Sequence, residues 1–502
     1  MGFRFRANNS EKDYFLAGRK LGWQPLSLSI MATQLSAISF VSAPAFVGLR
    51  EGGGLVWLSY ELALPLAMLF LLWKLLPALH QSGVLSVYDF LEQRFAVSTR
   101  VLISVVFQIS RAFATGIMIY AISIILQGTM GLAIWQSILF IGVITLIYSL
   151  VGGMKAVVYG DAIQMILIVA GAIICLAFGL YHIGGLAEVV AHTNPERLQV
   201  LRFENFGYDD NGFGLLPMLM GGIVLYAAYY GCDQSEAQRS LAARSIPELR
   251  KMIITAALVR FPVTLIYCLA GLTIGALAMK QPEFRALIPL DKPDWLVPVF
   301  IMQYLPVGLV GLLLVAMLAA AMSSLSSAVN SLSVVSVHDF MRCFGQPMSE
   351  AQKLYAGRFA GVFWGGVTLL LSFQAGNIAP TVIEAINKVG SMFYGSILAL
   401  FLLALTPNPP KAMHANIAVL CGVGLNLFFW LAVPQLFWFW WNVAGLAVTV
   451  CVALLLSGSK GFSDSTKIVT AAIPGKHIVL LLVWTAVIFL LCLYLKTVLL
   501  SF

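Results

Sequence analysis

The sequence predicts an all-α integral membrane protein, because the chain is too apolar for a soluble fold and its apolar residues form segments of membrane-crossing length. Of 502 residues, 60% are hydrophobic and 10% are charged, whereas about 25% of residues are charged in an ordinary soluble domain. A spanning helix needs about 20 mainly apolar residues. Thirteen such segments are predicted, at 26–48, 55–78, 101–127, 132–150, 158–182, 214–232, 253–279, 306–337, 357–377, 380–406, 412–432, 435–456 and 477–500.

Positively charged loops indicate the orientation. Basic residues occur in the N-terminal tail and then in every second loop, at 94–100, 234–252 and 338–356. Because cytoplasmic loops are enriched in lysine and arginine, we expect a multi-pass protein of the cell membrane, specifically a bacterial inner membrane, with a cytoplasmic N-terminus. The formal charge of +8 then follows from topology and does not indicate nucleic-acid binding.

Other features point to a single transmembrane domain over 1–502 without catalytic chemistry. The N-terminal residues are polar and basic, so no cleavable signal peptide is expected. The seven cysteines have no paired spacing, which indicates neither a disulfide framework nor a metal site. Because the predicted segments lack paired carboxylates and metal-ligand His or Cys spacing, we do not expect an enzyme.

Ionisable residues inside apolar segments are candidate functional residues, because a charge in hydrocarbon costs at least a few kcal/mol. Six such residues are Glu61, Arg111, Asp161, Arg260, Glu384 and Lys388. Glu384 and Lys388 lie four residues apart on one helix, in the order that favours an ion pair. They are predicted either to neutralise each other or, with Asn387 beside them, to line a solute path.

The other four charged residues lie on different segments. Asp161 and Arg260 have similar predicted depths, so we expect them to pair across two helices, either as structural neutralisation or as a sodium-linked gate. Glu61 and Arg111 both approach mid-membrane depth at about 1.5 Å of rise per residue. They either pair with each other or meet the solute.

A serine-rich run at 319–331 interrupts the eighth segment. Ser323, Ser326, Ser327 and Asn330 follow the i, i+3, i+4, i+7 pattern, so they share one helix face, which Ser324 flanks. Hydroxyl and carbonyl oxygens are ligands for a hard cation. The alternative is close helix packing by small residues.

Polar interruptions also occur in the first and sixth segments. The stretch 32–39 contains Gln34, Ser36 and Ser39 and predicts a discontinuous helix whose carbonyls line a midplane site. The stretch 225–231 carries Tyr226 and Tyr229, which either contact a solute or pack as aromatic residues. Interruptions five segments apart predict a 5+5 inverted repeat, with repeats at about 24–182 and 214–406 and accessory helices at 412–500.

These motifs together resemble the sodium:solute symporter family, whose members have a LeuT-like inverted-repeat fold. The resemblance covers nearly the whole chain and is carried by the stretches 13–19, 152–157 with Asp161 and Gln164, 238–245, and the serine run. The family has one further helix before the motif at 13–19. The resemblance implies an importer with Na⁺ as the co-transported ion and a small polar solute; membrane lipid is the other expected partner, with no obligate protein partner.

The resemblance also implies the sodium ligands. The main site would use backbone oxygens of Ala32, Leu35 and Ala320 together with hydroxyls of Ser323 and Ser324. A second sodium, held by some members, would use Asp161, Ser323, Ser326 and Ser327.

The implied solute site contains residues similar to those of the sugar-transporting branch. Tyr60 and Glu61 match its aromatic–glutamate pair, Tyr229 matches the inner aromatic gate, and Asn387 and Gln34 replace a glutamine and an asparagine. Tyr226, Ser39 and Arg260 depart from that branch, and the stretch 116–121 is closer to the monocarboxylate and vitamin branch. The set favours a sugar or polyol; the alternatives are a carboxylate such as a monocarboxylate, sialic acid or vitamin, or a non-transporting sensor of the same fold.

Overall fold

The computed structural model of the chain describes residues 16–149, 154–208, 212–337, 349–457 and 473–501. Within these ranges the chain is helical and forms no β-strand. The predicted motif residues 13–15 and 152–153, and most of the loop 338–356, lie outside them. The helices of the N-terminal half are α1 (Trp23–Gln34), α2 (Ala37–Gly48), α3 (Leu55–Gln81), α4 (Val87–Arg94), α5 (Val97–Met130), α6 (Ile134–Ser149), α7 (Met154–Ile183) and α8 (Leu186–Ala191).

The C-terminal half continues the same pattern of long apolar helices joined by short ones. Short 3-10 turns at Pro195–Leu198, Pro293–Trp295 and Ala375–Asn377 join some of them. The helices are α9 (Leu215–Cys232), α10 (Gln234–Leu241), α11 (Ile246–Lys280), α12 (Pro282–Ala286), α13 (Leu296–Tyr304), α14 (Val307–Val335), α15 (Glu350–Ser372), α16 (Val382–Ala404), α17 (Ala412–Ala432), α18 (Phe439–Ser457) and α19 (Gly475–Leu500).

Each of the thirteen predicted segments contains a helix, but fewer pass a test of spanning length and apolarity. In the described ranges, ten helices pass it, or eleven spans if the bent pair α1–α2 is counted as one. The segments at 132–150 and 357–377 correspond to α6 and α15, which are not among them. The all-helical membrane architecture is therefore confirmed, and the count of thirteen spans stays a prediction.

The first predicted interruption is present and lies between α1 and α2. Helix α1 ends at Gln34, Leu35 leaves helical geometry at φ −86° and ψ 61°, and the Ser36 hydroxyl accepts a hydrogen bond from the amide of Ile38 to cap α2. The two helices are bent by 51°. Because the last carbonyls of a helix have no intrahelical donors, this break offers backbone oxygens inside the protein.

The sixth segment is interrupted later than predicted. Residues 225–231 are helical, and α9 continues to Cys232. Asp233 then adopts an extended conformation, and its side chain accepts a hydrogen bond from the amide of Ser235 at 2.8 Å to cap α10. The aromatic stretch thus stays on a regular helix, and the break falls at the first residue whose side chain can replace the helical hydrogen bonds.

Close packing fixes the second half of the broken helix against α11. A Cβ atom added at Gly48 would lie 2.5 Å from the carbonyl oxygen of Gly271, and one added at Gly271 would lie 2.4 Å from the Cα atom of Pro44. Only glycine allows two helix backbones to approach this closely. Helices α1, α2 and α7 all pack against α11, so the break between α1 and α2 lies in the protein interior.

Candidate functional site

A cavity of about 80 Å³ lies at the break between α1 and α2. Helices α3, α5, α9, α11 and α16 complete its wall. Seven of the eight predicted solute residues line it: Gln34, Ser36, Ser39, Tyr60, Glu61, Tyr229 and Asn387. The structure therefore brings together residues that lie up to 353 positions apart in the sequence.

Tyr226, the eighth predicted solute residue, lies behind this wall. Its side chain is fully buried, its ring stacks on that of Tyr60 at a centroid distance of 4.3 Å, and its hydroxyl donates to Glu61 at 3.2 Å. A Cβ atom at Gly222 would lie 2.8 Å from the Tyr60 ring, so a glycine on α9 makes room for that ring. Tyr226 therefore positions Tyr60 and Glu61.

The Glu61 carboxylate is saturated with hydrogen bonds from protein groups. The Arg260 guanidinium donates to both of its oxygens, from Nε at 2.9 Å and from Nη2 at 3.3 Å. Tyr226 and Thr264 each donate to Oε1 at 3.2 Å. Both charged side chains are buried. Proteins tolerate buried charges that are paired and hydrogen-bonded, as these two are.

Gln34 is held in the same network. Its amide oxygen accepts hydrogen bonds from Arg260 and from the Tyr230 hydroxyl. With its oxygen turned toward these donors, Gln34 can present its amide NH₂ group to a bound molecule.

Arg111, on α5, differs from Glu61 and Gln34 because its hydrogen-bonding groups are not all paired. Its side chain is 4% exposed, and its Nη1 lies 3.6 Å from Asp233 Oδ2, a distance beyond that of a hydrogen bond. Its Nε has no hydrogen-bond partner within the described part of the chain. Arg111 therefore offers unused hydrogen-bond donors to the cavity.

A second unused donor belongs to Tyr267. This tyrosine lines the cavity, is 1% exposed, and its hydroxyl lacks a hydrogen-bond partner among the residues that the structure describes. Buried polar groups without a partner are uncommon and call for a ligand or a water.

The two pairings predicted across helices, Asp161 with Arg260 and Glu61 with Arg111, are not what the structure shows. Asp161 does not pair with Arg260: its Oδ2 lies 2.7 Å from Nη2 of Arg239 on α10, and it accepts from Ser29 at 2.7 Å. Arg260 pairs instead with Glu61. Residues at similar depth can face different neighbours, because depth does not specify the rotation of a helix about its axis.

The predicted pair within α16 is also replaced. Glu384 accepts from Arg50, with Nη2 to Oε1 at 2.9 Å, and from the Thr381 hydroxyl at 2.6 Å. The Lys388 ammonium lies over the rings of Trp430 and Trp441, 5.0 and 5.9 Å from their centroids. The fixed guanidinium fork suits a carboxylate bidentately, whereas cations are attracted to indole faces.

No functional role for Asp233, Glu236 or Arg50 is predicted from the amino-acid sequence. Asp233 and Glu236 follow directly on the sixth segment, where a loop is predicted, and Arg50 lies just beyond the first segment. Glu236 is fully buried, and neither of its carboxyl oxygens has a hydrogen-bond partner in the described ranges. The sequence feature that could have identified Asp233 and Glu236 is their position directly after an apolar segment that carries aromatic residues.

The proposed sodium ligands are only partly described. Ala32 and Leu35 lie at the break, and α14 packs against α2, α5 and α7. Gln164 on α7 donates to the carbonyl of Ala319 at 3.0 Å, which ties α14 to its neighbour. Ser324 is buried and the Ser327 hydroxyl lacks a partner among the described groups; the side chains of Ser323 and Ser326 lie outside what the structure describes.

Comparison with known proteins gives consistent matches across the chain. The profile of the sodium:solute symporter family matches residues 14–419. The sodium-coupled monocarboxylate transporter 2 of Danio rerio is 28% identical over 427 residues, which cover 84% of this chain and 67% of that protein. The sodium/sialic acid symporter NanT of Aliivibrio fischeri is 26% identical over 453 residues, which cover 90% and 88%.

Solved structures show the same fold. A Na⁺-coupled sialic acid symporter, solved in a substrate-bound outward-open state, superposes with a TM-score of 0.80 at 22% identity and covers 92% of this chain and 96% of that one. MhsT in complex with L-phenylalanine superposes with a TM-score of 0.51 at 14% identity, covering 87% of this chain and all of that one. The similarity to these structures shows that the helices have a LeuT-like arrangement.

Proposed function

Since the chain belongs to the sodium:solute symporter family, we propose that it imports a small organic anion bearing a carboxylate in symport with Na⁺. Na⁺ is the co-transported ion of this family, and its relatives carry the names of monocarboxylate, iodide, vitamin and sialic acid transporters. The proposal for the solute depends on the balance of donors and acceptors in the cavity.

The observation that carries the proposal is the unused donor capacity of Arg111. Among the described residues, the charged groups in the cavity wall are Glu61, Arg111 and Arg260. Glu61 and Arg260 satisfy each other, so the acceptor capacity of the carboxylate is already used. Arg111 and the Tyr267 hydroxyl retain donors, and a carboxylate is the acceptor that an arginine binds most strongly.

This balance disfavours the sugar or polyol that the sequence alone favours. A sugar would require the Glu61 carboxylate to accept hydrogen bonds from solute hydroxyls. In the structure, Arg260, Tyr226 and Thr264 occupy it instead. A neutral polyol would therefore meet a wall with a surplus of donors.

For the ion, we keep the main sodium site at the break of the first helix, formed by backbone oxygens of Ala32, Leu35 and Ala320 and hydroxyls of Ser323 and Ser324. Sodium at this position would join α1 to α14 and so favour one conformation of the transporter. A ligand shifts such an equilibrium only by its different affinity for the two states.

A second sodium near Asp161 would compete with existing contacts. The Asp161 carboxylate already receives Arg239 and Ser29. We therefore propose that the second site, with Ser323, Ser326 and Ser327, forms only if Arg239 exchanges its partner. The inverted repeats at about 24–182 and 214–406 and the cytoplasmic N-terminus complete the proposed transporter.

Uptake into proteoliposomes tests the solute assignment. Labelled pyruvate, nicotinate, sialic acid, glucose and myo-inositol would each be measured with and without an inward sodium gradient. We expect sodium-stimulated uptake of at least one carboxylate and none of glucose or myo-inositol. The reverse result would restore the sugar assignment, and binding without uptake would favour a sensor.

The double variant Ser323→Ala with Ser324→Ala tests the main sodium site. Each alanine removes one oxygen that replaces part of the sodium hydration shell, so sodium stimulation should be lost. The matched control is Ser333→Ala, on the same helix, whose hydroxyl donates to the Val329 carbonyl at 2.7 Å. Normal sodium dependence in a monodisperse double variant would exclude this site.

A further inference from the structure

The N-terminus of α16 is tied to α2 by side chains from several parts of the chain. Thr381, the residue before α16, makes no side-chain cap of its own. Instead, the amide of Val382 donates to Asp294 Oδ2 at 3.0 Å, and the amide of Ile383 donates to the Ser42 hydroxyl at 2.9 Å. Together with the pair Arg50–Glu384, these contacts form what we call the α2–α16 latch.

The latch borders the cavity directly. The amide of Ile383 donates to Ser42, and the side chain of Ile383 lines the cavity. Ile386 and Asn387, one turn further along α16, line it as well. Because the first amides of a helix need acceptors, α16 cannot move away from α2 without losing the acceptors supplied by Asp294 and Ser42. Opening of the latch is therefore coupled to access to this side of the cavity.

Asp294 is the unusual member of the latch. It lies in the 3-10 turn Pro293–Trp295, outside the spanning helices, and is 4% exposed. Its Oδ2 accepts from Val382, while Oδ1 has no hydrogen-bond partner among the described groups. A carboxylate with one unsatisfied oxygen is costly to bury, whereas the protonated acid keeps the acceptor that Val382 needs without a charge.

Groups around Asp294 also affect the balance between its protonated and charged forms. Glu384 on α16 adds a like charge, which Arg50 at the end of α2 balances. Tyr120 on α5 faces the same turn, and the loop itself carries Asp291 and Lys292. Burial, reinforced by Glu384 and opposed by the hydrogen bond from the Val382 amide and by the nearby Ser42 hydroxyl, raises the pKa of Asp294 to about 7.

We propose that Asp294 is a proton-binding site that controls the α2–α16 latch. The protonated acid holds α16 against α2, and loss of the proton releases it. The sign follows from linkage: the closed latch binds the proton more tightly than an open, hydrated one, so low pH favours closure. The advantage of the closed form falls as pH rises from the ordinary range of an aspartic acid, and it is exhausted above about pH 7.

Cysteine accessibility in the purified protein tests this proposal without reference to any solute. The variant Ile386→Cys would be labelled with a maleimide, and its rate divided by that of Leu290→Cys, an 87% exposed reference that corrects for thiol ionisation. Between about pH 6 and pH 8 the ratio should rise about tenfold, because an acid that is hydrated when the latch opens shifts the equilibrium tenfold per pH unit until its closed-state pKa is passed. The background from native cysteines is measured in the parent protein.

Neutral variants of Asp294 decide whether this residue causes the pH dependence of labelling. Asp294→Asn and Asp294→Ser both keep an acceptor for the Val382 amide, so both should give a low ratio at every pH. Asp291→Asn, a matched change at an exposed acid of the same loop, should keep the tenfold rise. A flat ratio in the parent protein, or a tenfold rise that survives in either neutral variant, would overturn the proposal.

Discussion

Arg260 and Arg111 line the same cavity from two different helices, and their hydrogen-bond donors are used to very different degrees. Arg260, on α11, donates to Glu61 and Gln34 and lies under the ring of Tyr226, 5.1 Å from its centroid. Arg111, on α5, has Asp233 as its nearest carboxylate among the described residues, at 3.6 Å. Both guanidinium groups are buried, so exposure to solvent does not distinguish them.

The comparison indicates that the hydrogen-bond partners of a buried arginine, more than its burial, distinguish a structural role from a role in binding. A buried arginine whose donors are all used contributes to the shape of the wall and has little left for a solute. A buried arginine with unused donors carries a desolvation cost that a bound anion can offset. Substitutions at these and neighbouring residues test this division.

The largest effect is expected from breaking the Arg260–Glu61 pair. Arg260→Gln leaves Glu61 charged and buried without its main partner, which should destabilise the protein by about 3–5 kcal/mol. Thermal unfolding in detergent, monitored by tryptophan fluorescence, measures this loss. The double variant Arg260→Gln with Glu61→Gln should be more stable than Arg260→Gln alone; equal stability would show that the pair does not act as a unit.

Arg111→Gln should instead impair binding. Hydrogen bonds to charged groups contribute about 1.5–3 kcal/mol, so the KM for the proposed carboxylate solute should rise about 10- to 100-fold, with a smaller change in stability than for Arg260→Gln. Arg358→Gln, an exposed arginine on α15, is the matched control. An unchanged KM would remove Arg111 from the solute site.

Asp233→Asn should strengthen anion binding. The amide keeps the cap on the Ser235 amide but removes the negative charge opposite Arg111, so the arginine is more available to a solute carboxylate. A several-fold fall in KM is expected from uptake measurements, on the order of 1 kcal/mol. A rise in KM would mean that Asp233 orients Arg111 rather than competing for it.

Glu236→Gln and Glu61→Gln make a matched comparison of two buried glutamates. Glutamine at 236 preserves the volume and breaks no hydrogen bond that the structure shows, so stability should change by less than about 1 kcal/mol. Glutamine at 61 loses the charge that satisfies Arg260 and should cost several times more. Similar unfolding temperatures for the two variants would contradict the division between saturated and unsaturated groups.

The smallest effect should come from combining changes at Asp161 and Arg260. Since each has a different partner, their effects on stability should add to within about 0.5 kcal/mol. A double-mutant cycle on Asp161→Asn and Arg260→Gln measures the deviation. A larger coupling free energy would support a direct interaction between Asp161 and Arg260, as their predicted depths indicate.

The membrane fold and most of the polar residues in the cavity wall follow from the amino-acid sequence alone. Apolar segments of spanning length leave few alternatives, because the backbone must satisfy its own hydrogen bonds in lipid. Polar residues inside such segments are costly, and for that reason the amino-acid sequence alone is enough to single out Gln34, Ser39, Tyr60, Glu61 and Asn387. All five line the cavity.

Which charged side chains pair with each other depends on the packing of the helices in three dimensions. Asp161 pairs with Arg239 and Glu384 with Arg50, across 78 and 334 residues. Such pairs depend on the rotation and tilt of packed helices, which local periodicity does not specify. The unused donors of Arg111, from which the solute assignment follows, are visible only once each neighbouring group has been matched with its partner.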